Sequence, residues 1–152
     1  VTILANVNHP KSSGHLELRS RNPRQPVAIY PRLLDHPDDL DCVLRGLDWI
    51  RRLAATAPFG SHVRELIEVP SAKAGREADE NYVRGATVPF LHPVGTCRMG
   101  ADDRAVVTPE LRVRGTEGLW VADASIFPRH ISGNTNATAI MIGERGADLV
   151  HP

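Results

Sequence analysis

Lysine is nearly missing from this chain: apart from Lys11 and Lys73 its basic residues are arginines, a bias with no evident mechanistic meaning. Neither charge sign is in excess, since 18 Lys and Arg balance 18 Asp and Glu. With no basic stripe either, nothing favours nucleic acid or an anionic membrane as partner. No apolar run approaches the roughly 20 residues of a transmembrane helix. No signal-peptide pattern opens the sequence, so the expectation is a cytoplasmic protein with no membrane association. Two cysteines, Cys42 and Cys97, are too few for a disulfide framework. Repeats and low-complexity tracts are absent. What remains is 41% hydrophobic and 24% charged, the balance of a soluble globular protein, either one domain or a piece of a larger one.

Hydrophobic patterning predicts short strands first. Val1 to Val7 is rich in branched side chains and reads as a strand, followed by a turn cluster from Asn8 to Gly14. His15 to Ser20 alternates, with Leu16 and Leu18 on one face and Glu17 and Arg19 on the other. Paired with Val1–Val7 across the turn, this run indicates part of an antiparallel sheet with one wet face, and Val27–Tyr30 reads as a brief extended segment ending at Pro31. Residues 37–57 carry the clearest helix. Pro37 suits its first position, Asp38, Asp39 and Asp41 its positive end, and Arg51 and Arg52 its negative end. Leu40, Val43, Leu44, Leu47, Ile50 and Leu53 form one apolar stripe, Trp49 sits at the edge of that core, and Pro58 stops the helix. Residues 61–69 fit either a short helix or a strand, with His62 on the surface. Glu77 to Ala86 reads as a second helix, with Tyr82 and Val83 inward.

That helix delivers the chain into Phe90-Leu91-His92-Pro93-Val94-Gly95-Thr96-Cys97-Arg98-Met99-Gly100. Because Pro93 follows, His92 is pushed toward extended backbone, which directs its imidazole before packing is considered. Gly95 and Gly100 bracket a loop whose backbone can approach a ligand closely. Arg98 adds a fixed charge, and Thr96 and Cys97 add small polar tips. Farther on, Ala105–Val107 and Leu111–Val113 read as short strands. The apolar run Leu119–Ala122 reads as a strand buried on both faces, as in a parallel sheet. Ligands of such sheets bind beyond the strand C-termini, where Asp123 stands; a turn residue bonding its own backbone accounts for Asp123 equally well. Asn136 to Val150 reads as a helix capped by Thr135. Ile140, Met141 and Ala147 are expected inward, with Gly143 and Gly146 allowing close helix–sheet approach.

Three ordered motifs, H-P-V-G-T-C-R-M-G, V-x-D-A-S-x-x-P and N-T-N followed by I-G-E-R-x-A-D, resemble the C-terminal part of the glucose-methanol-choline (GMC) family of flavin-dependent alcohol oxidoreductases. The resemblance is dense over residues 90–150 and looser over 8–50. Leu91 departs from it, since many members carry a polar or bulkier aromatic residue before the histidine. The resemblance implies an α+β chain: an antiparallel substrate-domain segment with helices over 1–100, ending in the histidine loop. Over 101–152 it implies the last strand and helix of an FAD-binding α/β domain. The strand, glycine-rich turn and helix that hold the FAD diphosphate in the family have no counterpart here, since no G-x-G-x-x-G occurs. The implied partner is therefore an N-terminal FAD-binding portion of the same protein.

Oxidising an alcohol removes a hydroxyl proton and a hydride. Imidazole suits the proton, an amide can orient the oxygen, and the hydride needs a cofactor. By resemblance, His92 is the base and Asn134 its partner on a small-molecule alcohol. Resemblance also places Asp123 and Ala124 near the ribityl–diphosphate part of FAD, and Thr135 and Asn136 beside its ring. Other readings stay open. His92 and Cys97 could form a hydrolase pair, though no third residue or oxyanion motif accompanies them. His92, His130 and Asp123 could bind metal, though their spacing matches no common ligand pattern. A truncated, non-catalytic chain that binds a partner is the non-enzymatic alternative.

Overall fold

The computed structural model describes residues 1–150; His151 and Pro152, the last two residues of the 101–152 segment, lie outside the described residues. Among the described residues, three α-helices and one two-stranded antiparallel sheet form the regular structure, in keeping with the α+β expectation. The chain divides into two compact units. One combines Val1–Gly14 with Tyr30–Val88, the other His15–Ile29 with the chain from Pro89 on.

The first unit is built on α1 (Pro37–Ala55) and α2 (Arg76–Ala86). His36 caps α1 by accepting the Asp38 N–H at 3.2 Å on Nδ1. Pro37 and the acidic first turn follow as the sequence predicts. Thr56 closes the far end, its hydroxyl donating to the Arg52 carbonyl at 2.7 Å, and Pro58 bars continuation. Leu40 and Leu47 of α1, Val83 of α2 and Leu34 make the core, with Val43, Leu44, Val69 and Tyr82 packed around it. Arg51 bolts the helices together. It donates to both Asp79 oxygens at 2.6 and 2.7 Å and to the Pro70 carbonyl at 2.8 Å.

Two expectations fail in this unit. Val1–Val7 forms no strand, because a strand needs a ladder partner and none is offered. The N-terminal segment is held by polar bonds at its far end: buried Asp39 accepts the N–H groups of Lys11 and Ser12 and the Ser12 hydroxyl. Trp49 is not core edge but 64% exposed, with the Arg52 guanidinium 4.4 Å from its ring centroid. Its position lies off the stripe that faces α2, so the ring finds a cation rather than the core. The undecided 61–69 stretch holds only the end of a 3-10 turn, Phe59–His62, with His62 exposed as expected.

In the second unit, β1 (His15–Glu17) pairs with β2 (Ala28–Tyr30) and not with Val1–Val7 as the sequence suggests, because only β2 offers it a ladder; the last residue of β2 returns the chain to the first unit. All three β1 residues are exposed, so the sheet has no dry face for Leu16. The core is Val107, Leu111, Ile126, Phe127 and Ile142, packed by Val94, Met99, Trp120, Val121 and Leu149 among others. The runs read as strands at 105–107, 111–113 and 119–122 make only single bridges: Met99 with Val107, Val107 with Val113, and Arg112 with Trp120. Their apolar residues pack as loops, since no long neighbour offers a continuous ladder. Leu119 is accordingly 51% exposed.

α3 (Asn136–Val150) has the bounds that its sequence predicts. Its inward face differs. Ile142 and Gly146 are buried, whereas Ile140, Met141 and Ala147 are exposed. Gly146 is required where it lies, because a Cβ there would come within 2.9 Å of the Ala122 methyl. The exposed Ile140 and Met141 form a second apolar face with no cover among the described residues.

Candidate functional site

His92 and the residues that touch it all belong to the second unit. Leu91 enters the motif at φ 58°, a left-handed conformation that a leucine side chain resists. Its side chain is 84% exposed, so burial of that side chain does not offset the strain, and the surrounding loop must hold it. His92 follows, half-buried. Its Nδ1 lies 3.1 Å from Thr135 Oγ1, and its carbonyl lies 3.0 Å from His130 Nε2. The Phe90 ring meets the imidazole edge-on, with centroids 5.9 Å apart.

The rest of the motif builds the floor. Gly95 turns the chain at φ 86°. The N–H groups of Cys97 and Met99 then donate to the carbonyls of Ser125 and Ile126, at 2.9 and 2.8 Å, tying the loop to the segment after Asp123. Arg98 is not a free charge for a ligand. It makes a two-bond pair with Asp102, at 2.6 and 2.9 Å, whose hydrogen bonds hold the Asp102 carboxyl well below the usual carboxylate range.

The residues expected around a cofactor fall out as follows. Asp123 is exposed and caps the 3-10 turn Ala124–Ile126, accepting the Ser125 N–H at 2.7 Å; this is the local turn bond that its sequence also allows. Ala124 packs against the core. Thr135 is buried, and its hydroxyl is engaged with His92, while its carbonyl accepts the Ala139 N–H at 2.9 Å. Asn134 and Asn136 flank it, both exposed. The sequence offers Thr135 as a helix cap and a cofactor neighbour and His130 only as a metal candidate; both lie against His92. Among the described residues no hydrogen bond joins Cys97 to His92, and no group of three or more His, Cys, Asp or Glu is placed to hold a metal ion.

Comparison with known proteins decides the family. The GMC oxidoreductase C-terminal family matches residues 10–143. This chain belongs to the GMC oxidoreductases. It is 40% identical to choline oxidase of Arthrobacter globiformis over 98% of its own length and 28% of that enzyme's. It is 38% identical to an acceptor-dependent alcohol dehydrogenase of Pseudomonas putida, over 93% of the chain and 26% of the relative. Its fold matches formate oxidase of Aspergillus oryzae with a TM-score of 0.87 at 26% identity, covering 93% of this chain and 25% of that one. The chain thus spans about a quarter of the length of the relatives it matches.

GMC oxidoreductases depend on FAD, and the residues here fit one end of that cofactor. The exposed amides of Asn134 and Asn136 stand at the start of α3, whose first-turn N–H groups have no partner within the helix and carry its positive dipole end. Such a donor-rich edge suits a ring whose nitrogen and carbonyl oxygen atoms accept hydrogen bonds. Asp123 keeps one carboxylate oxygen beyond its Ser125 bond, enough to accept from a sugar hydroxyl. No helix among the described residues is long and apolar enough to cross a membrane.

Proposed function

We propose that this chain supplies the proton-accepting wall of an FAD-dependent alcohol oxidoreductase related to the choline and alcohol enzymes, with His92 as base and Asn134 as its partner on the substrate oxygen. The observation that carries this reading is the His92 Nδ1–Thr135 Oγ1 contact at 3.1 Å. If Nδ1–H donates to the threonine oxygen, Nε2 keeps its lone pair and is the basic nitrogen. That nitrogen takes the alcohol proton. The Asn134 amide, one residue from Thr135, donates to the same oxygen as negative charge develops there. FAD, when bound, supplies the hydride acceptor that no side chain can provide. Asp123 and Ala124 would lie toward its ribityl and phosphates, Thr135 and Asn136 beside its ring. Residues 1–100 then form a substrate-domain segment and residues 101–152 the closing part of the flavin domain. The N-terminal FAD-binding portion and a small-molecule alcohol are the partners.

Anaerobic stopped-flow reduction of the flavin in the full-length enzyme tests this reading. His92→Ala should slow reduction by about 10²–10⁴-fold, the usual loss when a general base is removed, while Cys97→Ser should be mild. Fast reduction by His92→Ala with abolition by Cys97→Ser would favour a thiol mechanism instead.

A further inference from the structure

His130 reaches across 38 positions to the backbone of His92. Its Nε2 lies 3.0 Å from the His92 carbonyl oxygen, and its Nδ1 lies 2.8 Å from the carbonyl of the next residue, Ile131. A carbonyl can only accept, so each contact is a hydrogen bond only where that ring nitrogen carries hydrogen. A neutral ring carries hydrogen on one nitrogen only, and with it on Nε2 the bond made is the one to His92, which fixes the carbonyl of a residue far away in sequence.

The placement matters because of what lies on either side of that carbonyl. Pro93 has no N–H and steers His92 from helical backbone. Leu91 is held at φ 58°, a conformation that relaxes if the loop is freed. Between them, the one backbone group of His92 that can report its ψ angle to a partner is its carbonyl. We infer that His130 is a positioning residue for His92: its Nε2–H pins the His92 carbonyl while Thr135 pins the imidazole, so ring and backbone are both held when the alcohol arrives. Both contacts are partly buried, which limits competition from water. Neither bond alone suffices. Thr135 sets the direction of Nδ1, but a swing about ψ would carry the whole ring away from a fixed substrate oxygen, and misplacement of about 1 Å can cost up to about 10²-fold in rate.

This inference rests on the reading of His92 as the base, and its test separates the two. In the full-length flavoenzyme, three variants divide the work of the ring. Gln places an amide nitrogen near the imidazole Nε2 and keeps the bond to His92. Asn places one near Nδ1 and can bond only Ile131. Leu can bond neither. His130→Leu and His130→Asn should slow anaerobic flavin reduction by about 10–100-fold with KM little changed. They should also raise amide deuterium uptake in the peptide spanning Leu91–Gly95. His130→Gln should restore most of the rate and the protection. A His130→Gln enzyme as slow as His130→Leu, or wild-type rate and exchange in all three, would overturn the inference. His92→Ala is measured beside them. Should it reduce flavin normally, the base assignment fails, while the exchange data still report on whether His130 holds the loop.

Discussion

Two polar side chains outside its own motif contact His92, buried Thr135 at the ring and half-buried His130 at the backbone carbonyl. Thr135 is 8% exposed, so its hydroxyl has been taken out of water and is costly to leave unpaired. Replacing it by valine keeps the shape and removes the acceptor. Thr135→Val should lower the rate of flavin reduction by roughly tenfold or more, by freeing the His92 ring, whereas Thr135→Ser should retain most of it. Equal losses in both would mean that Thr135 only fills space. Asp39 is the corresponding residue of the first unit, 3% exposed. Burial pushes its carboxyl up, but the donors of Lys11 and Ser12 outweigh that and leave it lowered. The stabilisation from a lowered carboxyl is present above the ordinary carboxylate range and fades as pH falls through the lowered value. Asp39→Ala should therefore destabilise the chain by about 1–3 kcal/mol near neutral pH through its unpaired donors, measured by urea unfolding. The difference from wild type should shrink under strong acid.

At the scale of elements, helices were legible and strands only in part: His15–Glu17 and Ala28–Tyr30 are extended where the pattern has them, but they pair with each other and Val1–Val7 forms no strand. α1 has a proline start, an acid-rich first turn and a repeating apolar stripe in 19 residues, and α3 has the bounds its pattern predicts. Local chemistry specifies such elements. The short runs at 105–107, 111–113 and 119–122 read as strands because an apolar run looks the same whether or not a ladder partner exists; here only isolated bridges form. The inward face of α3 departs from its pattern for a related reason. Ile140 and Met141 are as apolar as a buried face, yet 58% and 55% exposed, and sequence cannot say which of two apolar faces the core takes. Side-chain pairing over distance was hidden too, including the tie between α1 and α2. Arg51 and Asp79 are 13% and 16% exposed, and hydrogen bonding to the guanidinium holds the Asp79 carboxyl low against the opposing effect of burial. Asp79→Asn should cost about 1–3 kcal/mol at pH 7, and the cost should vanish as pH falls through the lowered carboxyl value. A pH-independent difference would show that the charge itself contributes nothing.

For the molecule as a whole, three ordered motifs, the histidine loop, V-x-D-A-S-x-x-P and N-T-N with I-G-E-R-x-A-D, indicated the family, while the contacts of His92 with Thr135 and His130 emerged only in three dimensions. The exposed apolar side chains of Leu119, Ile140 and Met141 fit a chain that spans about a quarter of its relatives. With no glycine-rich turn for the FAD diphosphate, the chain alone should bind FAD weakly or not at all. Flavin fluorescence titration checks this, and tight one-to-one binding would contradict it. The most direct measurement is a crystal structure of the full-length flavoenzyme with a slowly oxidised alcohol analogue bound. The alcohol oxygen should lie about 3 Å from both His92 Nε2 and the Asn134 amide nitrogen, with His92 Nδ1 still on Thr135. An alcohol oxygen bound away from His92, or His92 and Asn134 facing separate regions, would contradict the shared site.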